Sequence, residues 1–196
     1  MAFLLGKKIG LTQIFRNDEV VPVTILQAGP CYVLQIKNKE KDGYEAIQIG
    51  YQKITKAKRI TKAMKGKEYR FIKEFKPQGV EYKVGDEIKV DIFKTDQKIN
   101  ISGITKGHGF TGVVARHGFH GHNTTHGTKD QERMPGSIGS TAAQRVLKGR
   151  RMAGRMGAER ATIKNLQIIE IQPDKNLLLV KGAVPGANHG LIEIKA

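Results

Sequence analysis

Short runs of apolar and β-branched residues, many of them alternating with polar ones, dominate both ends of the chain and predict strands. Val20-Val21-Pro22-Val23-Thr24-Ile25-Leu26 and Cys31-Tyr32-Val33-Leu34-Gln35-Ile36 are separated by Ala28-Gly29-Pro30. Residues 44–49 alternate with period two behind the turn signal Asp42-Gly43. Residues 87–92, 98–102, 166–171, 177–180 and 191–194 continue the series, and Pro173-Asp174-Lys175-Asn176 reads as a turn. Short strands with turns between them predict a mainly β protein built on a closed barrel rather than a doubly wound sheet. Residues 53–67 break the pattern. They carry seven basic side chains and no acid, and Ala57, Ile60 and Met64 fall at helical spacing before Gly66. That predicts a short basic helix in an insertion of about 30 residues.

Charge changes the picture next. Lys+Arg 34 against Asp+Glu 18 gives a net +16, and a folded domain with that self-repulsion usually has a polyanion to neutralise it. The excess is uneven. Residues 101–160 hold 10 basic and 3 acidic groups, while 161–196 hold 4 and 3. The same middle segment contains 12 of the 23 glycines, 5 of the 6 histidines and 7 of the 10 arginines. Arginine can fork onto a phosphate where lysine presents a point charge. Nucleic acid is therefore the expected partner. A membrane is not, because no stretch approaches the roughly 20 apolar residues of a spanning helix. The apolar start ends at Gly6-Lys7-Lys8, too soon for a secretory signal, and the single Cys31 suits a reducing cytoplasm. Aromatic residues make up 6% of the chain with no Trp, which argues against a broad base-stacking platform.

Candidate chemistry in the middle segment reduces to RNA contacts. Gly107-His108-Gly109-Phe110-Thr111-Gly112 matches a dinucleotide fingerprint, but only five residues separate Gly112 from Gly118 and no βαβ units surround it. His117, His120, His122 and His126 suggest zinc, yet they lie in a glycine-broken stretch far from the only thiol. Neither a cofactor nor a metal is expected. Gly136-Ser137-Ile138-Gly139 is no nucleophile elbow, and no carboxylate lies between Arg133 and Ala158. An enzyme and a small-molecule substrate are thus not expected. Arg133, Arg145, Lys148, Arg150, Arg151 and Arg155 alternate instead with small residues, as in a thin arm fitting between RNA helices, where Phe110 and Phe119 could wedge or stack.

Longer motifs carry a resemblance. Gly6-Lys7-Lys8-Ile9-Gly10-Leu11-Thr12-Gln13-Ile14-Phe15 resembles the start of the bacterial form of the large-subunit ribosomal protein L-three family. Thr105-Lys106-Gly107-His108-Gly109-Phe110, Thr125-His126-Gly127 and Arg133-Met134-Pro135-Gly136-Ser137-Ile138-Gly139 are similar to its central signature. The likeness continues through Lys148-Gly149-Arg150-Arg151-Met152-Ala153-Gly154-Arg155-Met156-Gly157 and the block at 176–186. It implies a Greek-key-like barrel of the translation-factor type, with a small α-containing insertion and a long basic loop. It also implies direct binding of large-subunit rRNA, a part in early subunit assembly, a loop reaching towards the peptidyl-transferase centre, and neighbouring large-subunit proteins as partners. One departure is local. Ser140-Thr141-Ala142-Ala143-Gln144 replaces the Thr-Pro-Gly turn of many members, and Gln144 is out of register with the glutamine some of them methylate. That modification is not expected here.

The expected organisation is a barrel from 1–52, 82–118 and 158–196, a basic insertion at 53–81, and an extended rRNA-binding loop at 119–157. The expected RNA contacts are Lys106, His108, Arg116, His117, His120, His122, His126, Arg133, Arg145, Lys148, Arg150, Arg151 and Arg155, with Lys58, Arg59 and Lys62 in the insertion. The alternative is another RNA- or DNA-binding architectural protein, for which duplex binding without preference for rRNA would be the distinguishing behaviour.

Overall fold

The computed structural model describes residues 2–16, 18–76 and 82–196. Its strands are β1 (Phe3–Arg16), β2 (Glu19–Ala28), β3 (Cys31–Lys37), β4 (Ala46–Lys53), β5 (Tyr69–Phe75), β6 (Glu87–Ile88), β7 (Lys98–Ile104), β8 (Phe110–Thr111), β9 (Gly154–Arg155), β10 (Arg160–Gln172), β11 (Leu177–Lys181) and β12 (Leu191–Lys195). The fold is mainly β, as the alternation predicts. Every strand pairing among the described residues is antiparallel, which is incompatible with the parallel βαβ unit of a dinucleotide fold. The chain divides into two compact units, Met1–Ile104 with Arg160–Ala196, and Thr105–Glu159.

In the first unit six strands close in the order β1-β12-β7-β10-β11-β2. Leu4, Leu26, Ile101, Leu178, Ile192 and Ile194 are fully buried and belong to one apolar cluster. The period-two side-chain alternation of a strand puts one such set on the inner face of every wall. Among the described residues Lys8 is the charged exception, buried with its Nζ donating to Val184 O at 2.8 Å and Gly186 O at 3.2 Å. Those carbonyls offset the cost of taking an ammonium out of water.

The strands at 31–36 and 44–49, expected in the barrel, pair elsewhere. β3 and β4 lie in a second sheet of order β5-β4-β3-β6. Its Val33, Ile47, Ile49 and Tyr51 join the same apolar cluster as the buried residues of the six-stranded sheet, and Phe3 stacks on Phe75 at 4.7 Å. Alternation tells which side chains point inward, and it is silent about which edge each strand joins. Two further expectations are corrected. The strand at 87–92 is only two residues long and runs into a 3-10 turn, Val90–Ile92, that buries Val90. The helix expected within 53–67 is absent. Two isolated 3-10 turns, Ala57–Arg59 and Lys62–Met64, stand there, separated by Thr61 in extended geometry. Seven like charges and a costly helix nucleus oppose a regular helix. Lys67 fastens the segment instead, donating to Gln35 Oε1 and Gln48 Oε1, both at 2.6 Å. Residues 77–81 of the expected insertion lie outside the described residues.

Candidate nucleic-acid interface

The second unit, Thr105–Glu159, begins as a stem. Thr105 N–H donates to Glu159 O at 2.9 Å, His108 N–H to Met156 O at 2.9 Å, and Met156 N–H to Gly109 O at 3.0 Å. β8 and β9 extend this ladder by pairing Phe110 with Arg155 and Thr111 with Gly154. Close backbone approach requires glycine at Gly157, which has φ +74 and where a Cβ would collide with the Lys106 carbonyl oxygen. A five-residue helix, Val113–His117, follows and ends on Gly118 at φ 70, whose N–H donates to Val114 O. This short turn is what the GxGxxG run leads into, and no parallel strand follows it.

Beyond the helix, side chains and single backbone bonds join the two limbs of the unit. Arg116 Nη1 donates to Met152 O at 2.7 Å, and His117 Nε2 lies 3.1 Å from the same oxygen. Gly154 admits this arginine, because a Cβ there would lie 2.6 Å from Arg116 Nη1. His122 N–H donates to Glu132 O at 2.8 Å, and Arg150 Nη2 donates to Ser137 O. His117, Phe119, His122, Met134, Pro135 and Arg151 line an open cleft of about 400 Å3 between the limbs.

Only Val113 is buried in the whole of residues 105–159. Burying one valine yields roughly 1.5–3 kcal/mol, whereas ordering each residue costs about 1–2 kcal/mol. Apolar packing therefore contributes almost nothing to holding this unit in one conformation.

The structure puts thirteen of the sequence-derived candidates in this unit. Lys106, His108, His120, His122, His126, Arg133, Arg145, Lys148, Arg150, Arg151 and Arg155 are exposed, while Arg116 and His117 are half-buried. Lys58, Arg59 and Lys62 are exposed on the two 3-10 turns of the first unit. Sequence reasoning missed the inward use of Arg116 and Arg150. Each spends a donor on a carbonyl within the unit and keeps others of its five N–H groups available. The available signal was a glycine where an arginine must pass, as at Gly154. Phe110 is 83% exposed, at the strand position paired with Arg155. Among the described residues no group of three or more His, Cys, Asp or Glu could hold a metal ion. Burial pushes the Cys31 thiol up to about 12, so the chain's single thiol is protonated and unreactive at neutral pH.

Exposed cations in a glycine-broken loop, with almost no core of its own, suit a surface rich in phosphate. The comparisons agree with that chemistry. A family model described as Ribosomal protein L3 matches residues 74–176. The chain is 49% identical over 201 residues to the large ribosomal subunit protein uL3 of Roseiflexus sp., covering 98% of this chain and 95% of that one. It is 48% identical to the uL3 of Herpetosiphon aurantiacus, with 97% and 94% covered, and 45% identical to that of Carboxydothermus hydrogenoformans, with 98% and 95% covered. On this evidence of sequence, nearly end to end, the chain belongs to the ribosomal protein L3 family.

Proposed function

We propose that this chain binds large-subunit rRNA directly, chiefly through the arm at 105–159, and secondarily through the basic segment around Lys58, Arg59 and Lys62. Membership of its family makes it a structural constituent of the large ribosomal subunit, a cytoplasmic particle, and not an enzyme. Neighbouring large-subunit proteins are its other partners. The observation that carries the rRNA reading is the arm's composition: cations exposed on a loop with one buried residue. Such a loop gains its ordering free energy from phosphates, through charge neutralisation and counterion release. Arg145, Lys148, Arg150, Arg151 and Arg155 supply that attraction, while Arg116 and Arg150 each also use one donor to hold the limbs together.

The finer reading follows from the same division. The six-stranded closed sheet acts as a barrel of the translation-factor type that anchors the arm, and the arm threads into folded rRNA towards the peptidyl-transferase centre. A protein that orders together with its RNA belongs early in subunit assembly, before the helices it separates have closed. Crosslinking the chain to RNA in growing cells and sequencing the bound fragments tests this. Fragments concentrated in large-subunit rRNA, with crosslinked peptides from the arm, are expected. Crosslinks spread evenly over unrelated RNAs or DNA would overturn it.

A further inference from the structure

β1 outruns the barrel. β12 pairs with it only from Phe3 to Lys7, and the last bonds on that side are Lys8 N–H to Gly190 O at 3.2 Å and His189 N–H to Lys8 O at 2.6 Å. β2 stays paired with β1 as far as Arg16 opposite Glu19. Among the described residues, 9–16 therefore have a strand on one edge alone. One face of this extension is open and carries large apolar side chains around Gln13: Leu11 is 59% exposed, Phe15 75%, and Val20, directly opposite Phe15, 54%.

Open strand edges are normally guarded by lysine, proline or a charge, since unpaired backbone groups template further pairing. β2 carries Glu19 and Pro22 in the extension, whereas β1 presents Leu11-Thr12-Gln13-Ile14-Phe15 with no such guard. The charges also select the partner. In a chain of net +16, residues 9–23 hold one cation and two acids. The cation, Arg16, is tied to Asp96 by two bonds of 3.1 and 3.4 Å, while Asp18 and Glu19 are exposed at the hairpin end. The hairpin's own charge, a net of −1, favours a basic protein over phosphate.

We propose that an extended segment of a neighbouring large-subunit protein docks here, adding a strand to the open edge of β1 over residues 9–15. Its apolar side chains cover Leu11, Phe15 and Val20, and a Lys or Arg reaches Asp18 and Glu19. The proposal rests on the chain being a large-subunit constituent. The test uses intact large subunits carrying a photo-crosslinking benzoylphenylalanine at Phe15 or, separately, at Phe110 in the arm, with products identified by mass spectrometry. Phe15 should crosslink to a basic segment of another large-subunit protein, and Phe110 to rRNA. A Phe15 crosslink to rRNA, to a second copy of this chain, or to nothing overturns the docking strand. Loss of the Phe110–rRNA product would count instead against the rRNA reading. Leu11→Lys with Gln13→Lys, which guards the edge on exposed positions, should leave the melting temperature of the free protein unchanged and lower the Phe15 crosslink yield about tenfold. An unchanged yield would overturn strand addition, and the crosslink identities decide the matter even if that variant melts early.

Discussion

The two units of this chain reach a defined conformation by opposite means. In the closed sheet, Leu4, Leu26, Ile101, Leu178, Ile192 and Ile194 are withdrawn from water, and the backbone ladder joins six strands. In the arm, two two-residue strands, a handful of backbone bonds and two arginine-to-carbonyl ties do the joining around a single buried valine. A domain with its own apolar core repays chain entropy internally. An arm of glycine and cations has no such core, and in the proposed function the phosphates of its RNA partner supply the ordering free energy instead. The contrast teaches that exposure and charge along one loop can specify a structure completed only by a partner.

The sharpest way to break this contrast is to remove the arm. Replacing residues 112–153 by a short Gly-Ser turn between β8 and β9 should leave a protein that unfolds cooperatively by circular dichroism. Its affinity for a large-subunit rRNA fragment should fall by about three powers of ten or more, roughly 4 kcal/mol. If the shortened chain fails to fold, the arm belongs to the core after all. Next in size is Leu26→Ala, at a fully buried position. It should cost about 2–5 kcal/mol and lower the melting temperature on the order of 10 °C. Leu147→Ala, at a position 58% exposed in the arm, should change stability by less than about 0.5 kcal/mol. Equal losses at the two leucines would erase the distinction between the units.

A smaller effect sharpens it. Changing Arg145, Arg150, Arg151 and Arg155 together to alanine should weaken rRNA binding roughly thirtyfold and reduce the log–log salt slope by about 3, with the melting transition unmoved. Wild-type binding by this variant would take the grip on RNA away from these arginines. The smallest expected effect lies in the first unit, at Glu193. Burial pushes its carboxyl up, but Arg160 at 2.6 Å and Lys73 at 3.4 Å outweigh that and hold it below the usual carboxylate range. A depressed folded value contributes stability that is fully present above the unfolded value of about 4.3 and is lost as pH falls through the folded value. Glu193→Gln should thus lower the melting temperature slightly at pH 7, and the difference from wild type should vanish as the carboxylate protonates in acid. A difference that persisted unchanged through that range would mean the ion pairs contribute nothing.

Much of the molecule was legible beforehand. Apolar, β-branched and alternating runs located β2, β3, β4, β7, β11 and β12 to within a few residues, because half-buried strands leave that mark wherever they pair, but they caught only the second half of β10 and did not single out β1. β5 escaped notice since Arg70, Lys73 and Glu74 interrupt its apolar residues, and only pairing with β4 makes it a strand. Composition and charge pointed to the arm for a similarly local reason: glycine, arginine and the scarcity of acids are properties of the segment itself. Its boundary was less legible. The stem from Thr105 to His108 and from Met156 to Glu159 belongs with the arm by virtue of cross-chain hydrogen bonds, and nothing local announces those.

The sequence by itself determined the β character, the concentration of cations and glycines in one loop, and the family. These depend on residue type and spacing, which short-range physics converts directly into conformation and charge. Only the tertiary structure decided how the strands divide between a closed sheet and a four-stranded sheet, since many edges can satisfy the same alternation. It alone turned the basic stretch at 53–67 from a helix into two pinned turns, through Lys67 on Gln35 and Gln48. It alone assigned Arg116 and Arg150 to carbonyls of their own chain. A guanidinium reads the same in sequence whether it faces a phosphate or a backbone oxygen, and proximity in space makes the choice.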